Sequence, residues 1–510
     1  MENNMKQLKI YFTSDVHGYV YPTDYLDDSM KAIGLLNCIN HYQKDGNTLI
    51  IDGGDTIQGS PFTNYLSSKV GEKHPMADIM NAAGYDYVTL GNHEFNYGYE
   101  YLKSYLNHLD GKCLCTNIKD TTGGIKTLPY DIKVMENGLK VGVIGFTTDY
   151  ITRWERPSNI ENFLIEDVYA SIERVFKTVK QQVDIVIGIY HGGFEYDLAT
   201  DQKLSDSKEN IAYKICKEFD FDLLLTGHQH MPIAGQDLHG TYIAQTPHNG
   251  TRYIELTMNY NKVSGEKSFE SALNEANLPP NKEIYNKFLP LEEEVQRWLD
   301  TPVGHLSKEL NPDSHLTMAL HGSPLANFIN QIQLEVSGAD IACTSFANVI
   351  KGFNENVTVR DILATYPYPN TLVVLRVTKD ILKKALERCA SYFDYKDGDI
   401  SISASFLKPK VEHYNYDYFS NLEYTFDLKK DIGNRVTSMR FHGKEITNEE
   451  TLSLVMNNYR ASGAGGYEFY SNCKVEKEIL TEMPEIIINY FTKHSFVNVD
   501  EHTYIQVIHS

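Results

Sequence analysis

Between residues 8 and about 261, short apolar runs rich in β-branched side chains alternate with stretches whose apolar residues recur at three- and four-residue steps. The runs at 8–13, 48–52, 87–90, 141–146, 185–190 and 223–226 predict strands, and the stretches at 30–44, 97–107, 166–182 and 208–219 predict helices. Such alternation predicts an α/β fold with a sheet covered by helices. The run Ile185-Val186-Ile187-Gly188-Ile189 has no polar face, so its strand should be buried on both sides. The pattern breaks at Leu278-Pro279-Pro280, a charged, helix-compatible stretch follows at 281–299, and Thr301-Pro302 breaks it again. Beyond that point, helical spacing at 324–336 and 381–391 and strands near 371–377 and 452–457 predict a second α/β unit. We therefore expect an N-terminal domain at 1–277, an inter-domain linker helix at 278–304 and a C-terminal domain at 305–510, with no repeat shared between the halves.

The 510 residues exceed what one hydrophobic core supports, in keeping with this division. A content of 42% hydrophobic and 23% charged residues excludes a disordered chain. The net charge of −21 repels polyanions, which argues against a nucleic-acid polymer as partner and leaves a small anion held in a locally reversed field. Seven cysteines, without a C-x-x-C pair, read as reduced core thiols. The polar start and the lack of a long apolar span predict a cytoplasmic protein with no membrane segment. The sequence leaves the oligomeric state open.

Five predicted strands are each followed by metal-binding side chains. These are Asp15-Val16-His17, Gly53-Gly54-Asp55, Gly91-Asn92-His93-Glu94, His191-Gly192-Gly193 and Gly227-His228-Gln229-His230. Ligands of open α/β sheets bind beyond the C-terminal strand ends, so these loops can converge on one crevice. Imidazole with carboxylate suits zinc or manganese best, with iron, cobalt and magnesium as alternatives. Two ions need a shared ligand, and Asp55 is the natural bridge. The glycines are expected to supply positive φ at the sharp turns.

The ordered set, with the long segments Gly54-Asp55-Thr56-Ile57-Gln58-Gly59-Ser60-Pro61 and Gly91-Asn92-His93-Glu94-Phe95-Asn96-Tyr97-Gly98, resembles the 5′-nucleotidase branch of the calcineurin-like metallophosphoesterases. Two later segments extend the resemblance over nearly the whole chain. They are Thr365-Tyr366-Pro367-Tyr368-Pro369-Asn370-Thr371-Leu372 and Asn457-Asn458-Tyr459-Arg460-Ala461-Ser462-Gly463-Ala464-Gly465-Gly466. The resemblance implies a four-layer domain, a β-sandwich flanked by helices, then a linker helix and a C-terminal α/β domain that holds the nucleoside. It puts Asp15, His17, Asp55 and His230 on one divalent ion and Asp55, Asn92, His191 and His228 on the other, with an ion-activated water as nucleophile. His93 matches the catalytic histidine, which stabilises charge in the transition state.

The resemblance further implies that two aromatic rings sandwich the base. Tyr459 fits one place, and Tyr416, with Tyr414 as its rival, fits the other. Where the family carries an Asn and an Arg near the substrate, this chain has Asn348-Val349-Ile350-Lys351, so Lys351 is the candidate positive charge. Asn96 stands where 5′-nucleotidases commonly carry an Asp that orients the histidine. That form looks more like the members with 2′,3′-cyclic-nucleotide 2′-phosphodiesterase and 3′-nucleotidase activity. The expected function is thus two-metal hydrolysis of nucleotide phosphate esters in nucleotide catabolism. The cyclic-nucleotide or 3′-nucleotidase activity and a UDP-sugar hydrolase are alternatives, and a non-catalytic nucleotide-binding protein is a further one.

Overall fold

The computed structural model describes residues 5–27, 29–69, 71, 73–203, 208–368, 370–408 and 410–509, so Pro369 of the 365–372 stretch lies outside the described residues. The chain forms two compact units, Met1–Val295 and Gln296–Ser510.

The strands of the first unit are β1 (Met5–Thr13), β2 (Thr48–Asp52), β3 (Tyr87–Val88), β4 (Lys112–Cys113), β5 (Ile118–Asp120), β6 (Tyr130–Val134) and β7 (Lys140–Thr147). They continue with β8 (Phe163–Ile165), β9 (Ile185–His191), β10 (Leu223–Thr226), β11 (Ile233–Leu238), β12 (Thr241–Gln245), β13 (Arg252–Asn261) and β14 (Lys267–Glu275). Two six-stranded sheets result, in the orders β14-β13-β1-β2-β3-β4 and β11-β12-β10-β9-β7-β6. Pairing is parallel from β1 through β4 and among β7, β9, β10 and β12. The C-terminal ends of β1, β2 and β3 therefore share one edge of their sheet, and those of β9, β10 and β12 share one edge of theirs.

Period-two alternation explains how the sheets stack. Leu8, Ile10, Phe12, Leu49 and Ile51 of the first sheet pack against Val141, Val143, Ile185, Ile187, Ile189, Leu223 and Leu225 of the second. The intervening Ile144, Val186 and Leu224 face the other way, onto Val168, Ile172, Val175 and Val179 of the helix Val168–Lys180 and onto Ile215 of the helix Ala212–Glu218. The apolar run at 185–189 is buried on both faces for this reason. On the outer face of the first sheet, Tyr11 stacks on Tyr42 at 4.4 Å and Thr13 hydrogen-bonds Tyr85, which follows the helix Pro75–Ala83.

The helix expected over 30–44 shrinks to Leu35–Ile39. Gly34 adopts φ 94° and ties its N–H to the Asn249 carbonyl, so tertiary contact rather than helical spacing shapes residues 30–34. An 18-residue helix, Lys282–Leu299, follows the break at Pro279-Pro280 and carries Pro290 inside it. The boundary between the compact units falls within this helix.

The second unit is built on a five-stranded sheet ordered Tyr418–Ser420, Ile341–Thr344, Thr451–Asn457, Leu372–Thr378 and Lys474–Ile479. The helices Pro324–Ser337 and Lys379–Ala390 add buried faces to its core. All seven cysteines are free thiols, six of them buried. Among the described residues, no helix is long and apolar enough to cross a membrane.

Candidate metal centre

The loops after β1, β2, β3, β9 and β10 bring their polar side chains together at adjoining strand ends. Two groups of donors result. In one, ligand atoms of Asp15, His17 and His230 lie within 4.8 Å of one another; in the other, those of Asp55, His191 and His228 do. The groups adjoin, since His191 Nε2 is 3.1 Å from Asp55 Oδ2 and 4.0 Å from Asp15 Oδ1. Asn92 joins the second group, its Oδ1 lying 2.9 Å from His228 Nδ1. All seven residues proposed as ligands are thus brought to one place.

The backbone there is strained in an unexpected way. Asp15, His17, Asp55, His228 and His230, none of them glycine, all adopt positive φ between 48° and 71°. Left-handed backbone at non-glycine residues costs roughly 1–3 kcal/mol each and persists where the surroundings enforce it. The turn conformation expected of the glycines thus falls largely on the donors themselves. Gly91 is needed for space instead, because a Cβ there would sit 2.2 Å from Asp55 Oδ1.

Hydrogen bonds fix the donors. His191 Nδ1 is 2.7 Å from the Gly53 carbonyl, which leaves the buried Nε2 facing the pocket without a hydrogen-bond partner among the described residues. His17 Nδ1 is 3.2 Å from the Gln58 carbonyl and so presents Nε2, 3.3 Å from His230 Nε2. Two imidazole nitrogens at that distance can share a cation. Burial alone would raise the Asp55 carboxyl, yet His191, His93 and His17 hold it well below the usual range. Burial likewise favours neutral His191, but Asp55 and Asp15 raise it to about 10. His17, under the same desolvation, falls to about 4. A field that keeps a buried imidazolium charged equally attracts divalent cations. Mixed imidazole and carboxylate donors, with an orphaned ring nitrogen turned inward, fit two such ions.

Beside the donors, the His93 backbone N–H donates to Asp55 Oδ1 at 2.7 Å, and its Nδ1 meets Asn96 Oδ1 at 2.7 Å. Several partners were not evident in the sequence. Glu94 accepts from the N–H groups of Asp55, Thr56 and Gly91 at 2.6–2.8 Å and so locks two motif loops together. Its place inside the Gly-Asn-His-Glu motif was the available signal. Glu209 lies 2.9 Å from His228 Nε2, and His248 stacks on His230 at 4.7 Å. His248 sits in a sixth loop, after β12, where Pro-His-Asn-Gly follows an apolar run. Glu155, which bonds the Asn96 amide, stands in no recognisable motif.

In the second unit, Tyr414 and Tyr368 line a small cavity with Phe346 and Asn457, and Tyr414 lies in the field of Tyr459 and Tyr368. Tyr416 does not line it. At 2% exposure it packs on Tyr392 and Tyr418 and donates to the Ala319 carbonyl, so it is a core residue, and of the two rivals Tyr414 is the one that lines the cavity. Lys351, the candidate positive charge, pairs through Nζ with Asp361 Oδ1 at 3.3 Å. Asp361 itself closes the capping box of the helix Val359–Thr365, so this ammonium is engaged in a structural contact.

The description "Calcineurin-like phosphoesterase" matches residues 8–232, and "5′-nucleotidase, C-terminal domain" matches residues 302–472. The trifunctional nucleotide phosphoesterase protein YfkN of Bacillus subtilis is 24% identical over 96% of this chain, which spans only 38% of that protein's length. The 2′,3′-cyclic-nucleotide 2′-phosphodiesterase/3′-nucleotidase of Haemophilus influenzae is 25% identical, over 89% of this chain and 80% of its own. A Staphylococcus aureus protein assigned as a 5′-nucleotidase, solved with alpha-ketoglutarate, superposes with a TM-score of 0.91 at 33% identity, covering 99% of this chain and 100% of that one. By its two matched domains and a structural relative aligned end to end, the chain belongs to the 5′-nucleotidase family of calcineurin-like metallophosphoesterases, metal-dependent hydrolases of nucleotide phosphate esters.

Proposed function

We propose that this protein releases phosphate from mononucleotides at a centre of two divalent ions, zinc or manganese, held by the residues clustered at the strand ends. The observation that carries this reading is the pair of adjoining donor groups. Asp15, His17 and His230 would hold one ion, and Asn92, His191 and His228 the other. Asp55, whose two oxygens face different neighbours, would serve both. When bound, such ions supply positive charge to the phosphoryl oxygens and lower the pKa of water.

The chain's own residues do the rest. Glu94 holds the loops of Asp55 and Asn92 in register. His93, fixed at Nδ1 by Asn96 and through its backbone by Asp55, keeps Nε2 for the substrate, where the imidazolium form would stabilise the charge that develops in the transition state. Tyr414 and Tyr459 stack on the base, which tolerates all four bases because every base has a π-face. The acidic surface disfavours a polynucleotide substrate. The free thiols support a reducing compartment such as the cytoplasm.

A second reading has its own observation. Asn96 in place of a carboxylate, with the Haemophilus relative's named activity, favours opening of 2′,3′-cyclic nucleotides and hydrolysis of 3′-nucleotides. Incubation with 5′-AMP, 3′-AMP, 2′,3′-cyclic AMP and a UDP-sugar in Mn²⁺ separates these activities. Release from at least one AMP ester is expected, and turnover of none would refute the reading.

A further inference from the structure

Asn96 is anchored on both sides. Its Oδ1 is 2.7 Å from His93 Nδ1, and its Nδ2 donates to Glu155 Oε2 at 2.5 Å. An ionised carboxylate only accepts, so the end of the Asn96 amide that faces Glu155 is the NH₂. The carbonyl end then faces His93, and Nδ1 must be the nitrogen that carries hydrogen. Glu155 thereby decides which way the amide points, and the amide decides the imidazole tautomer.

We propose that Glu155 is the positioning residue of His93, acting through Asn96 as the carboxylate that this chain lacks at position 96. The proposal rests on the reading of His93 as the group that acts on the substrate. Glu155 is itself well held. It closes the short helix Ile151–Trp154, and its Oε1 accepts from the Arg156 N–H at 2.7 Å and from Asn159 Nδ2 at 2.9 Å. Asn159 Nδ2 also reaches the Asn96 backbone carbonyl at 3.1 Å, so the loop holds Asn96 twice, once by its side chain and once by its backbone. One carboxylate oxygen thus serves its own loop while the other is committed to Asn96. A residue that only stabilised its loop would need the first alone. Both Glu155 and Asn96 are half-buried, where water competes for a bare amide and a second anchor has work to do.

The chemistry predicts a specific rescue. In Glu155→Gln one oxygen becomes an NH₂. If that NH₂ faces Asn96, two donors meet and the Asn96 amide turns its own NH₂ toward His93; if it faces the loop, Arg156 N–H and Asn159 lose their acceptor. In Asn96→Asp two carboxylates face each other in contact. In the double variant N96D/E155Q the carboxylate now at position 96 accepts from both His93 Nδ1 and the amide NH₂ now at position 155. The carbonyl oxygen of that amide still serves the loop, so every donor has an acceptor again.

The test measures kcat, KM and bound metal for the wild type, E155Q, N96D, N96D/E155Q and H93N, with 5′-AMP and 2′,3′-cyclic AMP in Mn²⁺. E155Q should lower kcat by about 10- to 100-fold, as a misoriented catalytic group does, with KM and metal content within about twofold. N96D/E155Q should return to within about threefold of the wild type. If N96D/E155Q is no more active than N96D while H93N has lost activity, Glu155 has no positioning role. Full kcat in H93N would instead remove the reading of His93 on which the proposal stands.

Discussion

Arg460 Nη2 donates to the backbone carbonyl of Tyr414 at 2.7 Å, tying the segment that carries this cavity-lining tyrosine to the turn that carries Tyr459. The guanidinium is 1% exposed and pairs through Nε with Asp417 at 2.9 Å, while Nη1 reaches the Ala464 carbonyl at 2.7 Å. Five donors on a planar fork suit three acceptors at once, which a lysine cannot match. Arg460→Met should strand the buried Asp417 carboxylate and cost about 3–5 kcal/mol in equilibrium urea unfolding. A loss below about 1 kcal/mol would show that the pair does not hold this region.

The rivals Tyr414 and Tyr416 separate cleanly by their surroundings. Tyr414→Ala should raise KM for 5′-AMP by about tenfold or more, the usual cost of losing one stacked base, with the melting temperature little changed. Tyr416→Phe should leave KM alone and lose only the bond to Ala319, about 1 kcal/mol of stability. Steady-state kinetics and thermal unfolding of the two variants check both halves, and a KM effect confined to Tyr416 would reverse the assignment.

His93→Asn should spare the metal ions and slow turnover by about two to four powers of ten, as loss of an acid–base or charge-stabilising group does. Metal analysis with kcat decides it, because loss of an ion on this change would mark His93 as a ligand.

His74 offers a pH-dependent test away from the metal centre. Its ring is buried, edge-on to Tyr101 at 4.5 Å and Tyr105 at 5.4 Å, and neither nitrogen has a hydrogen-bond partner among the described residues. Burial, with His108 nearby, lowers its pKa from 6.5 to about 3. Between those values the unfolded chain binds a proton that the folded chain refuses. The contribution of His74 to stability is therefore full above about pH 6.5 and declines as pH falls, at up to about 1.4 kcal/mol per pH unit. Unfolding free energies of the wild type and His74→Phe should run parallel above about pH 7, and below about pH 6 the wild type should lose stability relative to the variant. Curves parallel throughout would show that His74 binds its proton equally well in the folded and unfolded chains.

Much of the first unit was readable because its signals are local. The run at 185–189 names a strand buried on both faces, and five strand-end motifs name their own loops. What was hidden depends on contacts distant in sequence. Glu155 lies 59 residues from Asn96 and carries no motif, so only the folded loop reveals it. Residues 30–34 follow Asn249 rather than their own periodicity. Tyr414 and Tyr416 differ by one short 3₁₀ turn, His413–Asn415, which decides which ring meets the cavity and which meets the core. Positive φ at the donors was equally invisible, because it reflects strain imposed by the assembled site.

If two ions share Asp55, the metal content of the purified protein reports it. After loading with Mn²⁺ or Zn²⁺ and removal of the excess, elemental analysis should give two ions per chain for the wild type. Asp55→Asn should hold fewer and release no phosphate from any of the AMP esters. Two ions and undiminished turnover in Asp55→Asn, or a fully active wild type holding none, would contradict it.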